Sequence, residues 1–334
     1  MRVARHSKSC PENQIWYSST NKRVVEPSNP DAFDAKIVSN SYTSEGGVII
    51  FEGEISTVGD NAFCGCSLLQ TITLPKSITQ ISSTAFRECS ALDKFYGEHS
   101  SADGDALIIN QRLIAFAHRV KNCQYIIPKG VVAIGKYAFD SHTALQSIII
   151  DADVESIHEA AFYHCTNLTS VIIGNKVRNI CKEAFMGCSA LTDIIIGNSV
   201  TTISDSAFYY CNNLKHITFG NKVNTISDSA FRGCDNLTQI TLPESITHIG
   251  NAAFMRCSSL LSVIIKAPIP PQITDTTFDS TTDYMIYIPK QSISLYTNSN
   301  CWVKLLNKIA TSTPSHNKMD AQPNKTQTPL LKKL

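Results

Sequence analysis

The chain has 334 residues, with 29 Lys and Arg against 28 Asp and Glu, so its formal net charge is +1. A charge this close to zero excludes the basic surplus of most nucleic-acid-binding proteins, and we expect no nucleic-acid partner. No stretch approaches the roughly 20 apolar residues that a membrane-spanning helix needs, so we expect no membrane insertion.

The N-terminal segment, residues 1–47, has no periodic pattern and contains Trp16 and Tyr17 ahead of two prolines. We expect it to be an irregular extension that covers the first of the repeats described next, because an open end would expose core and strand edges. Its first ten residues hold no apolar run, so the sequence predicts no secretory signal.

An Ala-Phe pair recurs through residues 48–265 at a step of 23 residues, apart from one step of 53 between Phe86 and Phe139. A period in the twenties is typical of a solenoid, in which each unit buries its apolar face against its neighbours. The repeated phenylalanines are Phe63, Phe86, Phe139, Phe162, Phe185, Phe208, Phe231 and Phe254.

Each unit has the same internal pattern. Leu stands six residues after the Phe, and apolar residues at nine and eleven predict a short strand. A Gly-Asn or a Pro then predicts a turn, and a second apolar pair follows, as in Val177 and Ile180. Equivalent strands of adjacent units should pair in parallel about 4.8 Å apart.

The fullest copy of the pattern, residues 240–265, reads I-T-L-P-E-S-I-T-H-I-G-N-A-A-F-M-R-C-S-S-L-L-S-V-I-I. It resembles the 23-residue leucine-rich repeat of the BspA-like family of bacterial and protist surface proteins. The resemblance implies an α/β-type repeat solenoid, a right-handed coil with a parallel sheet and capped ends. It also implies a secreted or surface-attached protein of the Bacteroides type.

Residues 96–124 interrupt the repeats. Two apolar runs, Ala106 to Ile109 and Leu113 to Phe116, flank a short polar turn that includes Arg112. This pattern predicts a β-hairpin, and we expect a 30-residue insertion that projects from the edge of the solenoid.

The chain after the repeats divides into two parts. Residues 266–310 predict a C-terminal cap that ends in a short helix, with Tyr296, Trp302 and Leu305 on its apolar face. Residues 311–334 are polar and lack apolar periodicity, so we expect a disordered tail.

Seven of the 12 cysteines stand three residues after a repeat phenylalanine, and His142 takes this position in one unit. Equal spacing predicts a ladder of reduced thiols inside the core rather than a disulfide framework or a metal site. The ladder consists of Cys66, Cys89, Cys165, Cys188, Cys211, Cys234 and Cys257.

The sequence lacks the motifs that carry catalysis or cofactor binding. It contains no P-loop, no G-x-S-x-G, no H-E-x-x-H and no paired C-x-x-C, and its histidines fall at different repeat positions. We therefore expect no enzyme activity, no cofactor and no metal ion.

Alternate residues of the predicted strands point outward from the sheet. Those eight and ten residues after the Phe form a candidate partner-contact stripe, in which three stacked isoleucines should make a small exposed apolar strip. An equally simple interpretation is strand propensity on a solvated sheet. The outer stripe consists of Ile149, Ile172, Asp193, Ile195, His216, Thr218, Gln239 and Thr241.

Two functions fit these features. The first is a non-catalytic, monomeric binding or adhesion module at the cell surface or secreted, which contacts a protein or a glycan. The alternative is an intracellular or injected scaffold or effector that uses the same repeat surface, which the lack of a visible signal sequence favours.

Overall fold

The computed structural model describes residues 9–119, 123–150, 153–278 and 283–311. Apart from residue 311, the tail predicted to be disordered lies outside these ranges, as do the first eight residues. The described repeats form a β-solenoid in which a typical coil contributes a main strand, a two-residue short strand and a turn around the repeated phenylalanine.

The strands follow the predicted periodicity. In chain order they are β1 (Gln14–Ser19), β2 (Ile37–Thr43), β3 (Gly46–Phe51), β4 (Thr57–Val58), β5 (Leu69–Thr73), β6 (Gln80–Ile81), β7 (Lys94–Tyr96), β8 (Ala106–Ile109), β9 (Arg112–Phe116), β10 (Gln124–Ile126), β11 (Ala133–Ile134), β12 (Ser147–Ile150), β13 (Ser156–Ile157), β14 (Ser170–Ile173), β15 (Asn179–Ile180), β16 (Asp193–Ile195), β17 (Thr202–Ile203), β18 (His216–Thr218), β19 (Thr225–Ile226), β20 (Gln239–Leu242), β21 (His248–Ile249), β22 (Ser262–Ile265), β23 (Met285–Tyr287) and β24 (Ile309–Ala310).

The main strands form three consecutive sheets rather than one. Their orders are β2-β3-β1-β5-β7, β10-β12-β14-β16-β18 and β20-β22-β23-β24. The break after β18 coincides with Phe219, which stands where neighbouring coils carry Ile196 and Leu242 and packs edge-on against Phe231 at 5.9 Å. The short strands continue past this break in a single sheet, β21-β19-β17-β15-β13-β11-β9-β8.

The fold is a β-solenoid and not the predicted α/β type. The described residues contain one α-helix, Ile293–Thr297, and three 3-10 segments, Pro30–Ala32, Lys290–Ser292 and Val303–Lys308. The second apolar pair of each repeat forms an extended short strand, as at Ile180 and Ile203, because the β-branched residues there favour extended backbone. A 23-residue coil that holds two strands and a tight turn leaves no length for a helix.

The turn around most of the repeat phenylalanines contains left-handed backbone on both sides of the ring. Non-glycine residues with positive φ stand two residues before and after Phe162, at Ala160 (52°) and His164 (53°), and glycine takes the second position in some coils. The ring of Phe162 stacks on that of Phe185 at 4.8 Å, and its N–H donates to the carbonyl of Ala184 in the next coil at 2.7 Å. In most coils the phenylalanine ring and its N–H thus lie against the following coil.

The cysteine ladder lies in the core as predicted, and each thiol also makes a polar contact. Cys165 Sγ donates to the carbonyl of Phe139 at 3.0 Å, and Cys188 Sγ donates to the carbonyl of Phe162 at 3.2 Å. The thiol therefore fills space and satisfies a buried carbonyl of the preceding coil. His142 performs both functions in its coil, since its ring is buried and its Nε2 lies 3.0 Å from the carbonyl oxygen of Ala117.

Thiol labelling should separate three groups of cysteines, since all 12 are free. We expect Cys301, which is exposed, to react rapidly in the native protein, and the half-buried Cys64, Cys123 and Cys181 to react more slowly. The eight buried thiols should react only after unfolding, when a chromogenic reagent should count 12. The Cys301→Ser variant should lack the rapid phase. Fewer than 12 free thiols in denaturant without a reductant would contradict the reduced ladder.

The interruption is a longer coil, and the prediction of a projecting 30-residue insertion was wrong. Strands β8 and β9 do form an antiparallel hairpin. However, β9 also pairs in parallel with β11, and Phe116 takes the place of a repeat phenylalanine, with its N–H on the carbonyl of Ala138. Phe116 lies 23 residues before Phe139, so the coil from Phe86 to Phe116 spans 30 residues, seven more than the repeat.

An ion pair bridges this longer coil. Arg87 Nη2 lies 2.6 Å from Asp140 Oδ2, and the Arg87 guanidinium also lies 4.1 Å from the ring centre of Tyr137. The Asp140 side chain is 5% exposed. Buried ion pairs are costly to break from one side, so this contact fixes the standard coils on either side of the hairpin.

Segments without the repeat lie against both ends of the array, and the N-terminal one is not irregular as predicted, because it contributes β1 and β2 to the first main sheet. Strand β1 pairs antiparallel with β3 and β5, and Phe33 packs on Phe51 at 5.0 Å. At the other end, Trp302 is fully buried and its Nε1 donates to the carbonyl of Pro271 at 2.8 Å. Trp302 precedes the 3-10 segment Val303–Lys308, so it does not share a helix face with Tyr296 as predicted.

Candidate partner-binding surface

The outer stripe is assembled in register within the middle sheet. Ile149 lies opposite Ile172, which in turn lies opposite Ile195. In the neighbouring row, which holds the residues eight positions after the Phe, Asp193 lies opposite His216. The structure therefore brings six of the eight predicted residues onto one sheet.

The last two residues of the outer stripe belong to the next sheet. Gln239 and Thr241 lie on β20, which is not hydrogen-bonded to β18, although β18 and β20 are adjacent. The residues of the outer stripe thus keep the same repeat positions throughout, but the stripe crosses from one hydrogen-bonded sheet to the next between β18 and β20. The sequence did not show this break, because Phe219 at that position still fits the apolar pattern.

The isoleucines of the outer stripe are not an exposed strip, and that expectation was wrong. Ile172 retains 9% of its surface, and Ile149 and Ile195 are half-buried. Strands about 4.8 Å apart place branched side chains in contact along a row, so each one covers the next. The exposed members are Asp193, His216, Thr218 and Gln239, and Thr241 is half-buried.

The outer stripe therefore offers a polar surface beside a closed apolar ridge. Asp193 presents a carboxylate, His216 an imidazole and Gln239 an amide, and these groups can donate and accept hydrogen bonds. Parallel pairing holds their backbones in place, which lowers the entropy cost of binding. The hairpin turn, with Arg112 exposed next to the left-handed Asn110 and Gln111, is the other candidate contact.

Chemistry beyond binding finds little support in the described residues. They contain no group of three or more His, Cys, Asp or Glu side chains that could hold a metal ion. Ser156 Oγ lies 3.2 Å from His158 Nε2, but no described group hydrogen-bonds to the other ring nitrogen, so nothing orients this pair as a nucleophile and base. Burial, with a smaller contribution from Arg112, lowers the pKa of His158.

A second surface, which the sequence analysis missed, lies on the phenylalanine turns. Residues one and two positions after the repeat phenylalanine leave the turn on its outer side, and in three consecutive coils they include Tyr209, Tyr210, Arg232 and Arg256. The available signal was the excess of tyrosine and arginine at these two positions. The repeat pattern hides it, because neighbouring coils carry glycine or methionine there.

The part of the chain that the structure describes contains no helix with the length and apolar character needed to cross a bilayer.

The family comparison agrees with the repeat pattern. The model of the BspA-type leucine-rich repeat region matches in six copies over residues 36–102, 112–231 and 178–305. A comparison with curated proteins found no match.

Two solved structures illustrate the likeness. A leucine-rich cell surface protein from Faecalibacterium prausnitzii is 28% identical, with a TM-score of 0.45 over 61% of this chain and 49% of the other. A leucine-rich repeat protein from Eubacterium ventriosum is 24% identical, with a TM-score of 0.46 over 57% of this chain and 59% of the other. The chain thus spans about half of the first relative and 59% of the second.

Proposed function

Because the chain belongs to the BspA-type leucine-rich repeat family, we propose that it is a non-catalytic, monomeric binding protein that contacts a protein or a glycan through the outer stripe. The observation that carries this proposal is the in-register display of Asp193, His216 and Thr218 on adjacent parallel strands. A rigid repeat surface suits recognition, because its side chains are positioned before the partner arrives.

The proposed organisation follows from the same features. Residues 1–47 and 266–310 act as caps, and residues 48–265 form the binding body. Attachment to the cell surface or secretion is our first choice of location, since the resemblance to the BspA-like family implies a secreted or surface-attached protein. An intracellular or injected scaffold that uses the same stripe is the alternative, and protease treatment of intact cells distinguishes the two.

Charge substitution in the outer stripe should weaken binding. We expect the double variant His216→Glu and Thr218→Glu to reduce affinity at least tenfold for whichever ligand an array of host matrix proteins and bacterial glycans identifies. Both positions are exposed, so the new carboxylates remain hydrated in the free protein, whereas a docked partner would have to bury them. Ile172→Glu is a poorer test, because the parent side chain is only 9% exposed.

The matched control is Arg112→Ala, at the exposed turn of the hairpin. If the sheet is the contact surface, this variant should bind like the parent protein. Retained binding by the stripe variant together with loss in Arg112→Ala would move the contact to the hairpin and leave the sheet as scaffold. Circular dichroism on each variant shows whether the rod is intact.

A further inference from the structure

We propose a second binding surface on the phenylalanine turns, which takes a carboxylate-rich acidic segment of a partner polypeptide. It consists of Tyr209, Tyr210, Arg232 and Arg256, which we call the arginine–tyrosine patch. These residues follow Phe208, Phe231 and Phe254, whose stacked rings lie 5.1 and 5.4 Å apart. The patch is thus carried by three adjacent coils with a rigid core beneath it, separate from the outer stripe.

The aromatic part of the patch is held in place by the fold. The rings of Tyr209 and Tyr210 meet edge-on at 4.2 Å. Tyr210 leans over Gly233, where an added Cβ would lie 2.5 Å from the Tyr210 ring. Gly233 has a φ of 76°, so glycine suits both the backbone and the space that Tyr210 occupies. The tyrosines are therefore pre-positioned, although Tyr210 remains 38% exposed.

The two arginines are not used by the fold as ion-pair partners. Among the described residues, neither Arg232 nor Arg256 takes part in a salt bridge. The Arg232 guanidinium lies 5.7 Å from the ring centre of Tyr209, and its buried Nε has no hydrogen-bond partner. A hydrogen bond from Tyr209, with smaller contributions from Arg256 and Arg232, lowers the pKa of Tyr210.

Nearby carboxylates are already engaged elsewhere. Asp235 accepts from Asn212 Nδ2 at 2.8 Å and from Ser258 Oγ at 3.3 Å. Asp228 accepts the backbone N–H of Asn251 at 2.7 Å, and Asp205 accepts that of Asp228. These contacts join one coil to the next and engage the carboxylates in hydrogen bonds within the fold. The positive charge of the patch is therefore available to an external anion.

The residue types favour a polypeptide with carboxylates. Arginine binds carboxylates through paired N–H donors, and this geometry is among the strongest polar contacts in proteins. Tyrosine and arginine, with tryptophan, are enriched among the few residues that carry most of the binding energy of protein interfaces. Met255, which is half-buried, directly precedes Arg256 and stands at the position that corresponds to Arg232 in the preceding coil; it adds the apolar contact that interfaces also favour.

The test uses the full chain and fluorescein-labelled poly-L-glutamate, with anisotropy read at low and at physiological salt. The parent protein should bind the probe, and the Arg232→Glu, Arg256→Glu double variant should lose at least tenfold in affinity. The matched control is Lys129→Glu with Lys222→Glu, which changes net charge equally at two exposed residues on other turns. This control should lose less than twofold.

Each other outcome contradicts the proposal. Equal losses in both double variants would show a response to net charge alone, and failure of the parent protein to bind would remove the site. Stronger competition by a sulfated glycan than by unlabelled poly-L-glutamate would assign the surface to a glycan instead.

Two further variants test the composition of the patch and its independence from the outer stripe. Tyr210→Phe should bind better than Tyr210→Ala, because the ring provides contact area. The stripe variant at His216 and Thr218 should bind the probe normally, which keeps the two surfaces distinguishable.

Discussion

Replacing Phe208 by alanine is expected to lower the free energy of unfolding by about 3–5 kcal/mol, as for other fully buried phenylalanines. The ring is 0% exposed and stacks between Phe185 at 5.2 Å and Phe231 at 5.1 Å. Its removal leaves a cavity at two coil interfaces, since each coil of a solenoid contacts only its neighbours. Urea denaturation followed by far-UV circular dichroism measures the loss.

Trp302→Ala is the matched control. Trp302 is equally buried, but it packs against Tyr296 at the C-terminal end of the array. We expect a comparable local loss, visible in hydrogen exchange of the last coils, with little change in the exchange of coils near Phe139. If both variants lower protection equally along the whole array, the nearest-neighbour description of the fold is wrong.

Acidification from pH 6.5 to 4 is expected to remove about 3 kcal/mol of stability through His142 alone. Burial lowers the pKa of His142 to about 4, with the carbonyl of Ala117 opposing the shift and His118 adding to it. Its Nδ1 accepts the N–H of Leu145 at 3.1 Å, so this nitrogen cannot hold a proton without breaking the contact. The native state therefore requires the neutral ring.

The direction of this stability change follows from the pKa of His142 in the unfolded and in the folded protein. The unfolded chain takes up a proton near pH 6.5, whereas the folded protein does so only near pH 4, where His142 finally titrates. Protons thus favour the unfolded state between these values, and stability falls as the pH falls. Burial also lowers the pKa of His118 and His158, which add to the effect in the same direction.

His142→Cys isolates the contribution of this ring. Cysteine is the residue that the other coils carry at this position, where its thiol donates to a carbonyl of the preceding coil. The variant should be nearly as stable as the parent protein at pH 8 and should lose much less stability at pH 4.5. Parallel stability curves for the two proteins between pH 6.5 and 4.5 would exclude His142 as the source.

The sequence predicts this solenoid well where position in the repeat decides the structure. The phenylalanine stack, the cysteine ladder, the strand register and the reduced thiols all follow from residues that recur every 23 positions. Each of these depends on contact between equivalent residues of adjacent coils, so periodicity alone is sufficient to place them.

Features that depend on a single departure from the repeat could not be predicted from the periodicity. Ala115-Phe116 is an Ala-Phe pair 23 residues before Ala138-Phe139, but the Cys and Leu that follow the other phenylalanines at three and six residues are absent, so the longer coil looked like an insertion outside the array. The burial of Ile172 depends on the branched neighbours on both sides, which a strand-by-strand pattern ignores. The arginine–tyrosine patch depends on turn geometry, in which positive φ at Tyr210 and Arg256 directs side chains outward.

The hydrogen bonds between coils also determine which changes in the number of repeats the fold can tolerate. Each standard coil donates its phenylalanine N–H to the following coil, as Phe185 does to Ala207, and its cysteine thiol to the preceding one. Recombination that duplicates or deletes one 23-residue unit between Phe139 and Phe254 joins surfaces that already fit. Descendants can therefore differ in array length without loss of folding, whereas the 30-residue coil from Phe86 to Phe116 has no interchangeable copy in the array.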